Sequence, residues 1–228
     1  MNVLSYLRNP ANWSGSGEIP TLLLQHLAYT ASAVLLAAVV AVPAGILIGR
    51  SGRRSTLVTG LSTGVRAIPS LGLLFLAVML LGTGTANIVV VLAVLAVPPI
   101  LTAVAAGVSG ADREAVGAAR AMGMTDLQVL ARVQWPLALP LVVSGLRSAT
   151  VQVVATATVA AFASGGGLGR LLTDGQQQDD YPQMFAGAVL VAGLAVVADL
   201  ALGGLGWCAT RRARPRSTPA AAPAFAPA

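Results

Sequence analysis

The chain has 228 residues, 56% of them hydrophobic and only 10% charged, and its mean hydropathy is +0.79. A water-soluble fold cannot hide so much apolar surface, so the composition points to a polytopic membrane protein with one membrane domain. The net charge of +6 is carried by arginine alone; without lysine no Walker A loop can be built, which excludes ATP hydrolysis by that route.

Residues 1–21 mix Tyr6, Trp13, Pro10 and Pro20 with small polar residues. They lack the charged start, short apolar core and cleavage site of a signal peptide. Tyr6 and Trp13 suit a membrane interface, and a loosely ordered tail is an equal reading. Apolar runs follow at residues 26–48, 57–81, 86–108, 137–163 and 184–207, each close to the roughly 20 residues that cross a bilayer. Arg66 and Pro69 interrupt the second run, and Pro98-Pro99 are expected to bend or break the third. No internal repeat is evident, which weakens inverted-repeat transporter readings. Residues 215–228 are rich in Ala and Pro and are expected to be disordered.

Five spans put the chain ends on opposite sides, and arginine placement orients them. Arg50, Arg53, Arg54, Arg113, Arg120, Arg132, Arg211, Arg212, Arg214 and Arg216 share one face, which is ten of the fourteen basic residues. The other face holds Arg8 and Arg170 among Glu18, Asp174, Asp179 and Asp180. The expected topology has the N-terminus outside, with the C-terminus and the 109–136 interval in the cytoplasm. Basic charge is explained by topology, and nucleic-acid binding is unnecessary.

The 109–136 interval is the longest polar-punctuated stretch between apolar runs, and it carries helix signals. Asp112 caps a helix over 113–122, and Gly123 supplies the left-handed residue at its end. Thr125 with Gln128 forms a capping box that restarts a helix, which Pro136 is expected to limit. Val129, Leu130 and Val133 then fall on one side, opposite Gln128 and Arg132. The product is a helix–turn–helix elbow on the membrane surface with an alanine-rich first helix that a partner's groove can approach closely.

Arg147 lies about ten residues into the fourth run and Asp199 within the fifth, where charge must face protein or water. Arg147 and Arg66 read as lining or gating a polar pathway, or as snorkelling side chains or members of structural ion pairs; Asp199 reads more readily as structural. Ser148, Thr150, Gln152, Thr156 and Thr158 make the fourth run unusually polar. Each alone suits close helix packing, whereas the cluster is better explained by a lined cavity. The glycine run at 165–169 has no preceding strand or following lysine, so it reads as a gate or re-entrant loop instead of a phosphate cradle. The single His26 reads as interfacial. With one His and one Cys, Cys208, a zinc site or Cys/His pair has nothing to be built from, and no triad spacing exists.

The 117–136 stretch resembles the coupling ("EAA") loop of ABC-importer permease subunits. Ala118, Ala119, Gly123, Val133 and Pro136 match its spacing, while Gly117 stands where the family usually has glutamate. The segments Ala67-Ile68-Pro69-Ser70-Leu71, Gly123-Met124-Thr125, Ala149-Thr150-Val151-Gln152-Val153-Val154-Ala155-Thr156-Ala157-Thr158 and Gly165-Gly166-Gly167-Leu168-Gly169 resemble the glycine betaine/choline/osmoprotectant branch. The likeness runs over residues 22–207.

That resemblance implies an all-α integral membrane protein with about five spans, the type I ABC-importer permease fold and a cytoplasmic coupling-helix elbow. It implies an extracytoplasmic or interfacial segment at 1–21, a permease domain at 22–207 with its coupling loop at 109–136, and a disordered cytoplasmic tail at 208–228, in a bacterial cell membrane. The chain is then a transport subunit and not an enzyme. It carries no cofactor, and ATP and Mg belong to partner ABC ATPase subunits. Further partners are an extracytoplasmic substrate-binding protein, membrane lipid and a second permease subunit, the heterodimer being favoured because a related subunit can keep the carboxylate missing at Gly117. Ala118, Ala119, Arg120, Met122, Gly123, Met124, Thr125 and Pro136 are the expected ATPase-coupling residues. Arg66, Pro69, Ser70, Arg147, Thr150, Gln152, Thr156 and Asp199 are the candidates for pathway or gate. The implied cargo is a quaternary ammonium osmoprotectant such as glycine betaine, choline, carnitine or proline betaine. A permease for another small solute such as an amino acid is the nearer alternative. An ion-coupled carrier has only Asp199 as an acidic group within a span, and a membrane scaffold has no reason for a polar fourth run.

Overall fold

The computed structural model describes residues 3–14, 18–51, 69–82, 84–163 and 166–213, the last five of these by backbone only. These residues form helices α1 (Val3–Arg8), α2 (Ile19–Ser51), α3 (Ser70–Leu81), α4 (Thr85–Ser109), α5 (Arg113–Ala121), α6 (Asp126–Val129), α7 (Trp135–Ala160), α8 (Gly169–Gln177) and α9 (Tyr181–Ala213). Among the described residues, four segments are long and apolar enough to cross a membrane: Ile19–Ser51, Thr85–Ser109, Asp126–Ala160 and Tyr181–Cys208. Residues 57–68 of the expected span at 57–81 fall outside the described residues; the rest is Pro69 and the 12-residue α3. Arg66 also lies outside them.

α4 is the hub. It packs between α2 and α7, and α9 packs on the far side of α7. Small residues set these distances. On α2, Ala33, Ala37, Ala41, Gly45 and Gly49 recur every four residues and are buried. A Cβ on Gly45 would stand 2.7 Å from Val104 Cβ, and one on Gly49 would stand 2.8 Å from the Ala105 carbonyl oxygen. The backbones of α2 and α4 therefore approach as closely as small-residue membrane interfaces allow. Gly107 of α4 meets Ala138 of α7, and Gly145 of α7 meets Ala103 and the Pro99 carbonyl of α4. The exposed residues of α2 include bulky apolar side chains, among them Leu24, Leu35, Val39 and Leu47.

Neither proline site breaks its helix, which corrects the expectation of a break at Pro98-Pro99 and of an end at Pro136. Pro98-Pro99 lie inside an unbroken α4 and are buried. Proline takes away the N–H that would bond four residues back, so Pro99 strips Leu95 of its helical donor. Gln152 of α7 replaces it, donating from Nε2 to the Leu95 carbonyl at 3.2 Å, and Thr102 Oγ1 donates back to the Pro98 carbonyl at 2.8 Å. Pro136 likewise does not end its helix. Residues Leu130–Gln134 form a π-helical turn in which the Trp135 N–H bonds to the Leu130 carbonyl, five residues back. The widened turn gives the Pro136 ring room where a regular turn would clash with a carbonyl. α6, the π turn and α7 thus run together from Asp126 to Ala160.

At the end of the bundle away from the elbow, α1 packs on α9. The Trp13 indole N–H donates to the Leu7 carbonyl at 2.7 Å, and Asn12 Nδ2 donates to the Tyr6 carbonyl at 2.8 Å. The Tyr6 phenol is pushed above its ordinary pKa by burial first and then by the negative charges of Asp180, Glu18 and Asp174.

Candidate coupling elbow and polar face

The elbow is built from local hydrogen bonds that its sequence specifies. Asp112 Oδ1 accepts from the Glu114 N–H at 2.9 Å and starts α5. At the far end Gly123 has φ +80°. Its N–H bonds to the Arg120 carbonyl at 2.9 Å, and the Met124 N–H bonds to the Ala119 carbonyl at 3.2 Å. That pair of bonds is a Schellman motif, which satisfies two carbonyls the helix end would otherwise leave bare. Two residues on, the Thr125 N–H donates to Gln128 Oε1 at 2.9 Å while Gln128 N–H donates to Thr125 Oγ1 at 3.4 Å, a complete capping box.

Val129 is buried, Leu130 and Val133 half-buried, and Gln128 and Arg132 exposed, as the sequence pattern requires. Asp126 ties the turn to its surroundings through Arg120 at 3.3 Å and Arg50, at the end of α2, at 3.8 Å. An open cleft of about 720 Å³ separates α5 from the ends of α2 and α4; Arg50, Arg113, Gly117, Arg120 and Asp126 line it. A side chain at Gly117 would meet nothing within 4 Å.

The expected coupling residues do not all present the same way. Ala118, Arg120, Met122, Gly123 and Thr125 are exposed, Met124 is half-buried, and Pro136 sits half-buried at the base of α7. Ala119 is buried at 2% exposure and serves the elbow's own packing. Sequence reading missed Leu127, which is 70% exposed in the turn region, as Met122 is at 75%. Its signal is an apolar residue just inside the capping box on the side away from Val129.

The polar face lies on α7. Thr150, Thr156 and Thr158 bond back to the carbonyls of Leu146, Gln152 and Val154 in their own helix, at 2.8, 2.8 and 3.2 Å, and Thr150 is buried against the bundle. Ser144, Ser148 and Val151 are exposed. With Arg147, Gln152 and Asp199 they line a surface cavity of about 580 Å³. Arg147 and Asp199 form a two-pronged ion pair across α7 and α9, Nε to Oδ1 at 2.8 Å and Nη2 to Oδ2 at 2.5 Å. Gly203, one turn beyond Asp199, makes room for the guanidinium: a Cβ there would be 3.2 Å from Arg147 Cζ. Pro69 and Ser70 stand at the start of α3.

The described part of the glycine run, Gly166 to Gly169, closes over α2. Gly167 has φ +80°, and its N–H donates to Gln25 Oε1 at 3.1 Å. His26 corrects an expectation. It is fully buried instead of interfacial, with Nε2 3.0 Å from the Val154 carbonyl of α7. The loop covers it because Gly167 has no side chain: a Cβ there would be 3.1 Å from His26 Nδ1.

The model of the family "Binding-protein-dependent transport system inner membrane component" matches residues 41–205. The chain belongs to that family. It is the membrane-spanning permease subunit of an ABC importer, and ATP hydrolysis belongs to a separate subunit. It is 36% identical over 189 residues to the carnitine transport permease protein OpuCB of Listeria monocytogenes, covering 83% of this chain and 87% of that one. It is 32% identical over 206 residues to the glycine betaine/carnitine/choline transport system permease protein OpuCD of Bacillus subtilis, covering 90% of each. Its backbone matches a chain of the inward-facing MetNI methionine ABC transporter with a TM-score of 0.74 at 24% identity, over 89% of this chain and 99% of that one, which shows a shared fold.

Proposed function

We propose that this permease imports quaternary ammonium osmoprotectants of the glycine betaine, choline, carnitine and proline betaine type. The observation that carries the coupling half of this reading is the elbow. It is a rigid turn with two exposed apolar side chains, Met122 and Leu127, and it runs through the π turn into the helix that bears the polar face. The substrate class is supported by relatives whose names specify carnitine, choline and glycine betaine.

In this reading residues 22–207 are the permease domain, the N-terminus lies outside, and the coupling loop at 109–136 and the tail at 208–228 lie in the cytoplasm. Two ABC ATPases, holding ATP and Mg, grip one elbow from each of two permease subunits. Ala118, Arg120, Met122, Gly123, Met124, Thr125 and Leu127 form the contact surface, with Ala119 and Pro136 supporting it from behind. ATP-driven closure moves the elbows as levers and switches the bundle between two states. An extracytoplasmic binding protein delivers the cargo. Selectivity for quaternary ammonium resides largely in that protein, because a cage of aromatic rings is hard to assemble in a chain that is 4% aromatic. The second permease is a different chain: OpuCB and OpuCD are distinct relatives, and such a partner can carry the carboxylate that Gly117 lacks. Pro69, Ser70, Arg147, Thr150, Gln152, Thr156 and Asp199, with Arg66, belong to the pathway or its gate.

The test is purification in mild detergent followed by reconstitution with the binding protein. An ATPase subunit and a second permease are expected to co-purify, with hydrolysis stimulated by glycine betaine-loaded binding protein. Met122→Asp and Leu127→Asp place a charge in an apolar contact and are expected to release the ATPase. Recovery of the chain alone, or uptake that persists without the ATPase, refutes the reading.

A further inference from the structure

We propose that Arg147 and Asp199 are a substrate-exchange pair: a zwitterion crossing the membrane lays its carboxylate on the Arg147 guanidinium and its quaternary ammonium beside the Asp199 carboxylate. The inference rests on the substrate class proposed above and adds a binding station inside the permease itself.

Both charges lie well inside membrane-spanning helices, Arg147 in the middle of α7 on its polar face and Asp199 in α9 beside the exposed Val196, Val197 and Leu200. Charges at such depth are retained where they face protein or a water-filled route. A pair serving only to join α7 to α9 would be sealed between them. Here the two side chains stay 38% and 33% exposed, on a cavity with Ser144, Ser148 and Gln152. The two hydrogen bonds to Asp199 use two of the five guanidinium N–H groups, and a carboxylate ligand matches that fork as Asp199 does. A quaternary ammonium has no N–H to donate, so where no aromatic cage is at hand it is met by a bare negative charge. An ionised Asp, which only accepts, supplies one. In the resting state each residue satisfies the other's charge, and a zwitterion replaces both partners at once without leaving a lone charge in the span. A cation without a carboxylate engages Asp199 alone.

The assay is uptake by the full transporter in proteoliposomes, comparing glycine betaine with choline, its cationic counterpart without the carboxylate. Arg147→Gln is expected to lower glycine betaine uptake about tenfold more than choline uptake, as a site deprived of its hydrogen-bonding partner group discriminates. Asp199→Asn is expected to depress both. Equal loss of the two substrates in Arg147→Gln, with recovery in Arg147→Gln/Asp199→Asn, would make the pair structural and overturn the proposal. Uptake of both at the wild-type rate in that double variant overturns it too. If the unaltered transporter imports neither compound, the substrate class fails first, and visibly so. Should the variants not assemble, Ser148→Cys in a Cys208→Ala background provides the readout: glycine betaine is expected to slow its reaction with a thiol reagent where equal sodium chloride does not, and no protection refutes the site.

Discussion

Gly123 offers a quantitative test of the elbow because its surroundings separate backbone strain from crowding. Its φ is +80°, and a Cβ added there would meet nothing within 4 Å of the chain's own atoms. A side chain therefore costs the isolated permease only the left-handed backbone, roughly 1–2 kcal/mol for an ordinary L-residue and less for Asn, which tolerates that region. A penalty of this size lowers the population of the Schellman turn about 5- to 30-fold. The expected order of damage is Gly123→Asn, then Gly123→Ala, then Gly123→Val, since β-branching makes positive φ worse. The assay is ATPase stimulation by loaded binding protein in proteoliposomes, with ATPase retention on the purified complex measured in parallel. If damage follows side-chain size without regard to backbone preference, so that Asn is worse than Ala, Gly123 matters for clearance of the partner and not for the turn. That result would refute the conformational argument. Asn, Ala and Val variants all coupled like the wild type would refute the elbow's role.

Two further predictions concern the bundle. Gln152→Leu removes the donor to the Leu95 carbonyl and is expected to cost about 1 kcal/mol, the usual scale for an interhelical hydrogen bond in a membrane. Pro99→Ala returns a helical N–H to that carbonyl, so the double variant is expected to regain most of the lost thermal stability in detergent; no recovery would sever Gln152 from the proline. Gly45→Val forces a side chain into Val104, where a Cβ would already stand at 2.7 Å, whereas Gly193→Ala enters open space. The first is expected to lose about 1–3 kcal/mol by overpacking and the second almost nothing, read as the difference in their melting temperatures.

What could be read from the sequence was local. Asp112, Gly123, Thr125 and Gln128 lie within a few residues of the groups they cap, so the elbow could be laid out bond by bond. Hydropathy marked the long spans for the same reason: a helix in lipid satisfies its own backbone, and only side-chain composition has to be read. The features that escaped depend on contacts distant in sequence. His26 meets Val154 across 128 residues, Arg147 meets Asp199 across 52, and Gln152 meets Leu95 across 57. No periodicity announces such pairs. Ala119 shows the limit within a motif, since a matched spacing does not reveal which alanine faces inward.

The prolines connect these levels. The expectation that Pro98-Pro99 and Pro136 interrupt helices rests on the missing N–H and the ring clash, and both effects are present. They are absorbed instead, by a side chain from a neighbouring helix at Pro99 and by a π turn at Pro136. The two solutions have different mechanical consequences. Gln152 locks α7 onto α4 near the polar face, giving that region a fixed internal reference. The π turn keeps the hydrogen-bonded path continuous from the capping box at Thr125 to the ion pair at Arg147. Asp126, at the start of the same path, reaches Arg50 at the end of α2. In the lever reading proposed above, a force applied at Met122 and Leu127 is shared between α2, through Arg50, and the continuous Asp126–Ala160 helix; both pack on α4 through small residues. With α7 held to α4 by Gln152, that reading has α2 slide against the pair and the polar face move with α7, without unfolding any helix.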